Sequence, residues 1–172
     1  SPVKLYKHLA KEKGIQWQNI DFFFGDERCV NKNSKHSNIN MCKKNLLNKI
    51  PILNSQIYEI NIKSKNPKKI SQEYEKRIKK YFNGKKISFD LTLLGVGNDG
   101  HIASLFENNI NKKNKKNVDF VIKKDFKRIT LTIKCINNSK NIFLWAPGKN
   151  KNNIIKNIIK DKKFMYPASY LK

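Results

Sequence analysis

The sequence predicts an α/β domain built on a doubly wound, mostly parallel sheet of Rossmann-like type, with helices on both faces. Short runs of bulky apolar residues, IDFFF (20–24), QIYEINI (56–62) and FDLTLLGVG (89–97), alternate with longer segments whose apolar residues recur at helical spacing. Elements that alternate in this way arrange as parallel strands crossed over by helices. The clear glycine cluster, Gly95, Gly97 and Gly100, directly follows a strand-like run, at the strand end where open α/β sheets place ligands.

Taken in order, residues 2–12 carry Val3, Leu5, Tyr6, Leu9 and Ala10 near helical spacing, with Pro2 where a first turn tolerates it and Gly14 as the stop. IDFFF reads as a strand buried on both faces and ends at Gly25. SNINMCKKNLLNKI (37–50) reads as a helix capped by Ser37 or Asn38 and halted by Pro51. After the strand at 56–62, PKKISQEYEKRIKKYF (67–82) places Ile70, Tyr74, Ile78 and Tyr81 on one helical face. FDLTLLGVG, VDFVI (118–122), RITLTIK (128–134) and NIFLWAPG (141–148) read as further strands, KNKNNIIKNIIKDKK (149–163) as the last helix, and MYPASYL (165–171) as a short final strand. The Lys/Asn-rich stretch 108–117 reads as a disordered surface insertion within a single domain spanning 1–172.

Composition narrows the function. The net charge of +24 arises from 37 Lys+Arg against 13 Asp+Glu, but the lysines are scattered among asparagines, with no arginine-rich arm and no aromatic-interleaved patch. A nucleic-acid partner is therefore not expected. Three cysteines, Cys29, Cys42 and Cys135, are too few and too irregularly spaced for a disulfide framework or a metal site, so a reduced, cytoplasmic setting is expected. No apolar run is long enough to span a bilayer and the first residues do not read as a signal peptide, so a membrane role is not expected.

Three strand-end segments carry the candidate chemistry. The first, GDERCVNKNSKHSN, sets Asp26, Glu27 and Arg28 on a loop at the mouth of the crevice and Ser37-Asn38 at a helix start; such charges either orient a polar substrate or are simply solvated. In the second, GVGNDGHIASLF, Gly97 and Gly100 let the backbone approach a ligand, and a following helix N-terminus would offer N–H donors to an anion. His101 can take a proton from water there, with Asp99 fixing its tautomer, although a loop histidine also serves as a cap or packing group. In the third, Arg128 and the lysines Lys149 and Lys151 can converge on a phosphate. Only three arginines exist, and Arg28 and Arg128 both fall at the expected crevice.

Trp17 followed by Asp26-Glu27-Arg28 and Ser37-Asn38, then LLGVGNDGHIASLF, RITLT, and Gly148-x-x-Lys151, in this order, resembles the glucosamine-6-phosphate isomerase/6-phosphogluconolactonase family over nearly the whole chain. Ala103-Ser104-Leu105-Phe106 and Arg28 resemble the lactonases; the related deaminases continue differently after DGHIA and carry tyrosine at the Arg28 position. The resemblance implies hydrolysis of 6-phosphoglucono-δ-lactone in the oxidative pentose phosphate pathway, with no metal, nucleotide or other cofactor. His101 is then the general base, Asp99 its support, Asp26 and Arg28 substrate-positioning groups, and Arg128 and Lys151 phosphate ligands. Ser1-Pro2 resembles the tail of the family's glycine-rich phosphate loop, so Ser1 joins the substrate-binding set, and the chain is expected to be a segment truncated at both ends. Glu107 stands where a proline is usual. The Lys/Asn-rich character adds the expectation of a covalently linked glucose-6-phosphate dehydrogenase domain. A deaminase-like sugar-phosphate isomerase and a non-catalytic basic binding module are the alternatives.

Overall fold

A computed structural model describes residues 2–111 and 113–172. Five helices and seven strands form in the order α1 (Val3–Leu9), β1 (Phe22–Phe23), β2 (Asp26–Arg28), α2 (Asn38–Asn45), β3 (Ile57–Tyr58), α3 (Pro67–Tyr81), β4 (Leu91–Gly95), β5 (Val118–Ile122), β6 (Lys127–Leu131), α4 (Ile133–Asn137), β7 (Asn141–Trp145) and α5 (Asn152–Lys160) among these residues. Two parallel pairs, β1–β3 and β4–β7, carry the α/β character, and a three-stranded antiparallel piece runs β2–β6–β5.

The helices form where local chemistry satisfies their ends. Ser37 caps α2 by accepting from Asn40 N–H at 3.0 Å, and Asn66 caps α3 ahead of Pro67. The apolar stripe of α3 is the one its spacing predicts, with Ile70, Tyr74 and Ile78 buried and Tyr81 left at the edge. Each such burial contributes about 1.5–3 kcal/mol. The Tyr74 hydroxyl accepts from Phe24 N–H at 2.9 Å and donates to Phe24 C=O at 3.0 Å, fixing the backbone between β1 and β2 against α3. Phe23 stacks on Tyr58 at 4.4 Å and lies 5.2 Å from Phe89, so β1 is held through aromatic contacts as well as backbone pairing.

Four elements differ from the sequence reading. Asp26–Arg28, expected in a loop, is strand β2, because β6 supplies an antiparallel partner in register Asp26↔Thr130 and Arg28↔Arg128. The strand starting near Arg128 stops at Leu131, where Thr132 turns the chain and caps α4 by accepting from Cys135 N–H at 3.2 Å. No helix follows the glycine cluster: Gly100 and Ala103 adopt φ of 75° and 48°, which break any helical run, and the segment folds back through bridges Val96↔Ile102 and Ile102↔Leu105. The final stretch is a 3₁₀ turn over Pro167–Tyr170, since Pro167 lacks the N–H that a strand ladder needs. IDFFF is also less enclosed than expected, with Phe22 and Phe23 half-buried and Phe24 buried. Within the 108–117 insertion, Asn109 donates to Ser104 C=O at 3.1 Å and Asn114 to Asp119 at 2.6 Å, tying the described part of this segment to the fold. Among the described residues no helix is long and apolar enough to cross a membrane.

Candidate active site

Alternation along β2 divides its three charged residues between two faces. Glu27, 1% exposed, turns toward the start of α2, where its carboxylate accepts from the N–H groups of Arg28, Asn38 and Ile39 and from the Ser37 hydroxyl, all at 2.8–2.9 Å. A carboxylate at a helix N-terminus meets both the open donors and the positive end of the dipole. Ser37, expected to bind substrate, is itself buried, and its hydroxyl is engaged by Glu27 and Asn40.

Asp26 and Arg28 take the opposite side. The Asp26 carboxylate accepts from the Ser104 hydroxyl at 2.7 Å and from Asn38 Nδ2 at 3.0 Å, so Asn38 orients an acid in this arrangement. Burial pushes the Asp26 carboxyl above its ordinary value, and the Ser104 hydroxyl with the charges of Arg28, Arg128 and His101 only partly offsets this. Arg28 donates through Nη1 to His36 C=O at 2.8 Å. Directly across the ladder stands Arg128, 8% exposed, whose Nη2 pairs with Asp125. Both arginines keep a buried Nε without a hydrogen-bond partner among the described residues. Like charges directly opposite on a sheet are destabilising, and an arriving anion would relieve them.

The glycine turn brings His101 alongside. Gly97 N–H donates to His101 C=O at 2.8 Å, and Gly100 N–H to Gly97 C=O at 3.2 Å, closing a loop from which the His101 side chain meets Asp99 Oδ1 through Nδ1 at 2.5 Å. Burial alone would raise the Asp99 carboxyl, but the hydrogen bonds and charge of His101 outweigh it and hold Asp99 below the usual carboxylate range. A Cβ at Gly97 would sit 2.1 Å from His101 Nδ1 and 2.5 Å from Asp99 Oδ1, so any larger residue there must displace this pair. Gly100 has a positive φ, and a Cβ there would meet Tyr166 at 2.8 Å. Lys151 donates to Asn98 Oδ1 at 2.5 Å, which places its ammonium beside the same turn. Lys149 is exposed.

The structure thus gathers Asp26, Arg28, Arg128, Asp99, His101 and Lys151, with Asn38, Gly97 and Gly100 shaping them; Ser1 lies outside the described residues. Sequence reasoning missed three contributors. Ser104 is 0% exposed and spends its hydroxyl on Asp26, a role that its place in the lactonase-like Ala103-Ser104-Leu105-Phe106 stretch did not indicate. Phe106 packs 4.7 Å from the His101 ring and 5.5 Å from the Arg128 guanidinium carbon, with Lys123 Nζ 3.9 Å from its centroid. Asn98 meets Lys151.

The chain as a whole is similar to known proteins. A family described as glucosamine-6-phosphate isomerases/6-phosphogluconolactonase matches residues 1–172. A 6-phosphogluconolactonase of Synechocystis is 30% identical over 99% of this chain and 73% of its own length. A probable 6-phosphogluconolactonase of Arabidopsis thaliana is 34% identical over 87% of this chain, which spans only 60% of that relative. The crystal structure of 6-phosphogluconolactonase from Thermotoga maritima superposes with a TM-score of 0.88 at 30% identity, covering 100% of this chain and 76% of that one. With a match along its whole length and the DGH turn, β2 and β6 assembled in one place, the chain belongs to the glucosamine-6-phosphate isomerase/6-phosphogluconolactonase family.

Proposed function

We propose that this chain hydrolyses 6-phosphoglucono-δ-lactone to 6-phosphogluconate, the reaction named for its relatives. The observation that supports this most directly is the His101–Asp99 pair set beside two facing arginines whose buried Nε donors are unpaired among the described residues. Asp99 accepts from Nδ1–H, which leaves Nε2 of His101 unprotonated to receive a proton. Water attacks the lactone carbonyl carbon as its proton passes to Nε2. The tetrahedral intermediate then collapses with cleavage of the bond between that carbon and the ring oxygen, which takes the proton back from the imidazolium and becomes a hydroxyl. The new carboxylic acid ionises to the carboxylate.

A positioned base of this kind contributes about 10²- to 10⁴-fold. Arg28 steadies charge developing on the lactone oxygens, Asp26 orients the sugar hydroxyls, and Arg128 with Lys151 binds the phosphate. The chemistry needs no cofactor, because a δ-lactone is already a reactive ester. A glucose-6-phosphate dehydrogenase domain on the same polypeptide would release this lactone beside the site.

The test is hydrolysis of freshly prepared 6-phosphoglucono-δ-lactone, corrected for the spontaneous rate, by the chain and by His101→Ala. Turnover that falls by about 10²-fold or more in the variant, with an unchanged melting temperature, supports the reading. Ammonia release from glucosamine 6-phosphate without lactone hydrolysis would replace it with a deaminase.

A further inference from the structure

The turn joining β5 to β6, Lys123-Lys124-Asp125-Phe126, is closed by Lys123 N–H donating to Phe126 C=O at 3.1 Å and sits at the rim of the site. From it the half-exposed Asp125 reaches back to Arg128. The contact is one-sided. Asp125 Oδ2 meets Nη2 and Oδ1 accepts from Phe126 N–H at 2.8 Å, and neither oxygen meets the guanidinium Nε. That Nε is buried and has no hydrogen-bond partner among the described residues, and Arg128 as a whole is 8% exposed. A guanidinium fork favours two parallel hydrogen bonds to one anion, and a phosphate has the three oxygens to supply both. The same turn carries Lys123, whose ammonium lies 3.9 Å from the centroid of Phe106, the ring that also faces Arg128.

We propose that Asp125 is an intramolecular stand-in for the substrate's phosphate: it half-fills the Arg128 fork in the free protein, and a phosphate monoester displaces it to take Nε and Nη2 together. Asp125 is therefore a specificity-determining residue that sets how strongly an anion must bind to enter. Weak anions fail to displace it, and a phosphate dianion, helped by Lys123, succeeds. The inference rests on the phosphate role given to Arg128 above.

The experiment measures binding of inorganic phosphate by calorimetry at low ionic strength for the wild type, Asp125→Asn, Asp90→Asn and the double variant Asp125→Asn/Arg128→Lys beside Arg128→Lys. Asp90 is an exposed carboxylate paired with Lys140 and controls for the loss of one negative charge. Removing the competing ion pair is expected to tighten phosphate binding about two- to fivefold, to leave Asp90→Asn at the wild-type affinity, and to give no gain once the fork is absent. In the lactone assay KM falls for Asp125→Asn while kcat holds. Unchanged or weaker phosphate binding in Asp125→Asn overturns the proposal, as does an equal gain in Asp90→Asn or in the Arg128→Lys background. Because phosphate binding needs no turnover, a chain that lacks lactonase activity but shows the gain would remove the proposed reaction and leave this inference standing. An active chain without the gain would do the reverse.

Discussion

Replacing Gly97 with alanine puts one methyl group where the His101–Asp99 pair now sits. The added Cβ would lie 2.1 Å from Nδ1 and 2.3 Å from Cε1 of His101 and 2.5 Å from Asp99 Oδ1, against an ordinary contact of 3.4–4 Å. The imidazole must therefore move by more than about 1 Å, and a displacement of that size at a reacting group costs about 10²-fold. Both obstructing side chains are partly exposed and can swing outward, so the damage falls on alignment and the fold is spared. Gly95, two residues earlier, has nothing among the described residues within 4 Å of its would-be Cβ and serves as the internal control. The assay is initial-rate hydrolysis of 6-phosphoglucono-δ-lactone with kcat and KM resolved, alongside thermal melts. Gly97→Ala is expected to lose kcat about 10²-fold with a melting temperature near that of the wild type, and Gly95→Ala to keep its kcat. Wild-type kcat in Gly97→Ala would refute the claim that the Nδ1–Asp99 geometry carries the chemistry.

Two further substitutions separate stability from function on β2. Burial raises the Asp26 carboxyl, so folding favours its protonated form; ionisation at neutral pH costs stability, which returns as pH falls through the raised value toward the ordinary carboxylate range. Asp26→Asn is accordingly expected to melt at or above the wild-type temperature at pH 7, to lose that advantage at low pH, and to turn over more slowly; a clear drop in melting temperature at pH 7 would contradict this. Glu27→Gln turns amide hydrogens toward donors that now meet carboxylate oxygens, at about 1–3 kcal/mol for each group left unmatched. Its urea midpoint is expected to fall, with residual activity tracking the folded fraction, whereas an unchanged midpoint would show that the four donors do not depend on the charge.

The His101–Asp99 pairing was legible because it is local: two residues apart, in a glycine turn, the side chains could hardly avoid each other. The stripe of α3 was legible for a similar reason, since helical spacing is written in consecutive residues. Strand β2 was not. Asp26-Glu27-Arg28 has no apolar alternation and poor strand propensity, and it is extended only because β6, about a hundred residues later, lends it a ladder. For the same reason the role of Glu27 was hidden, because a charge run looks alike whether it faces a ligand or the open end of a helix, whereas the Ser37 cap was legible from its place at the helix start. The missing helix after the glycines reflects backbone geometry: nothing in the letters of Ala103 announces a φ of 48°. The pairing of Ser104 with Asp26 was not legible because the two lie 78 positions apart.

The division of labour along β2 also bears on how such a site can change over evolutionary time. Adjacent residues on a strand point to opposite sides, so a single-residue insertion or deletion between Phe24 and Asp26 would exchange Glu27 with its neighbours, sending the capping carboxylate toward the arginines and a site residue into the start of α2. Both functions would fail in one step, with no intermediate that keeps either. Length variation is therefore expected to be absent between Phe24 and Arg28 and to collect beyond it, in the mostly exposed turn 31–35, where added residues leave the alternation of β2 in place.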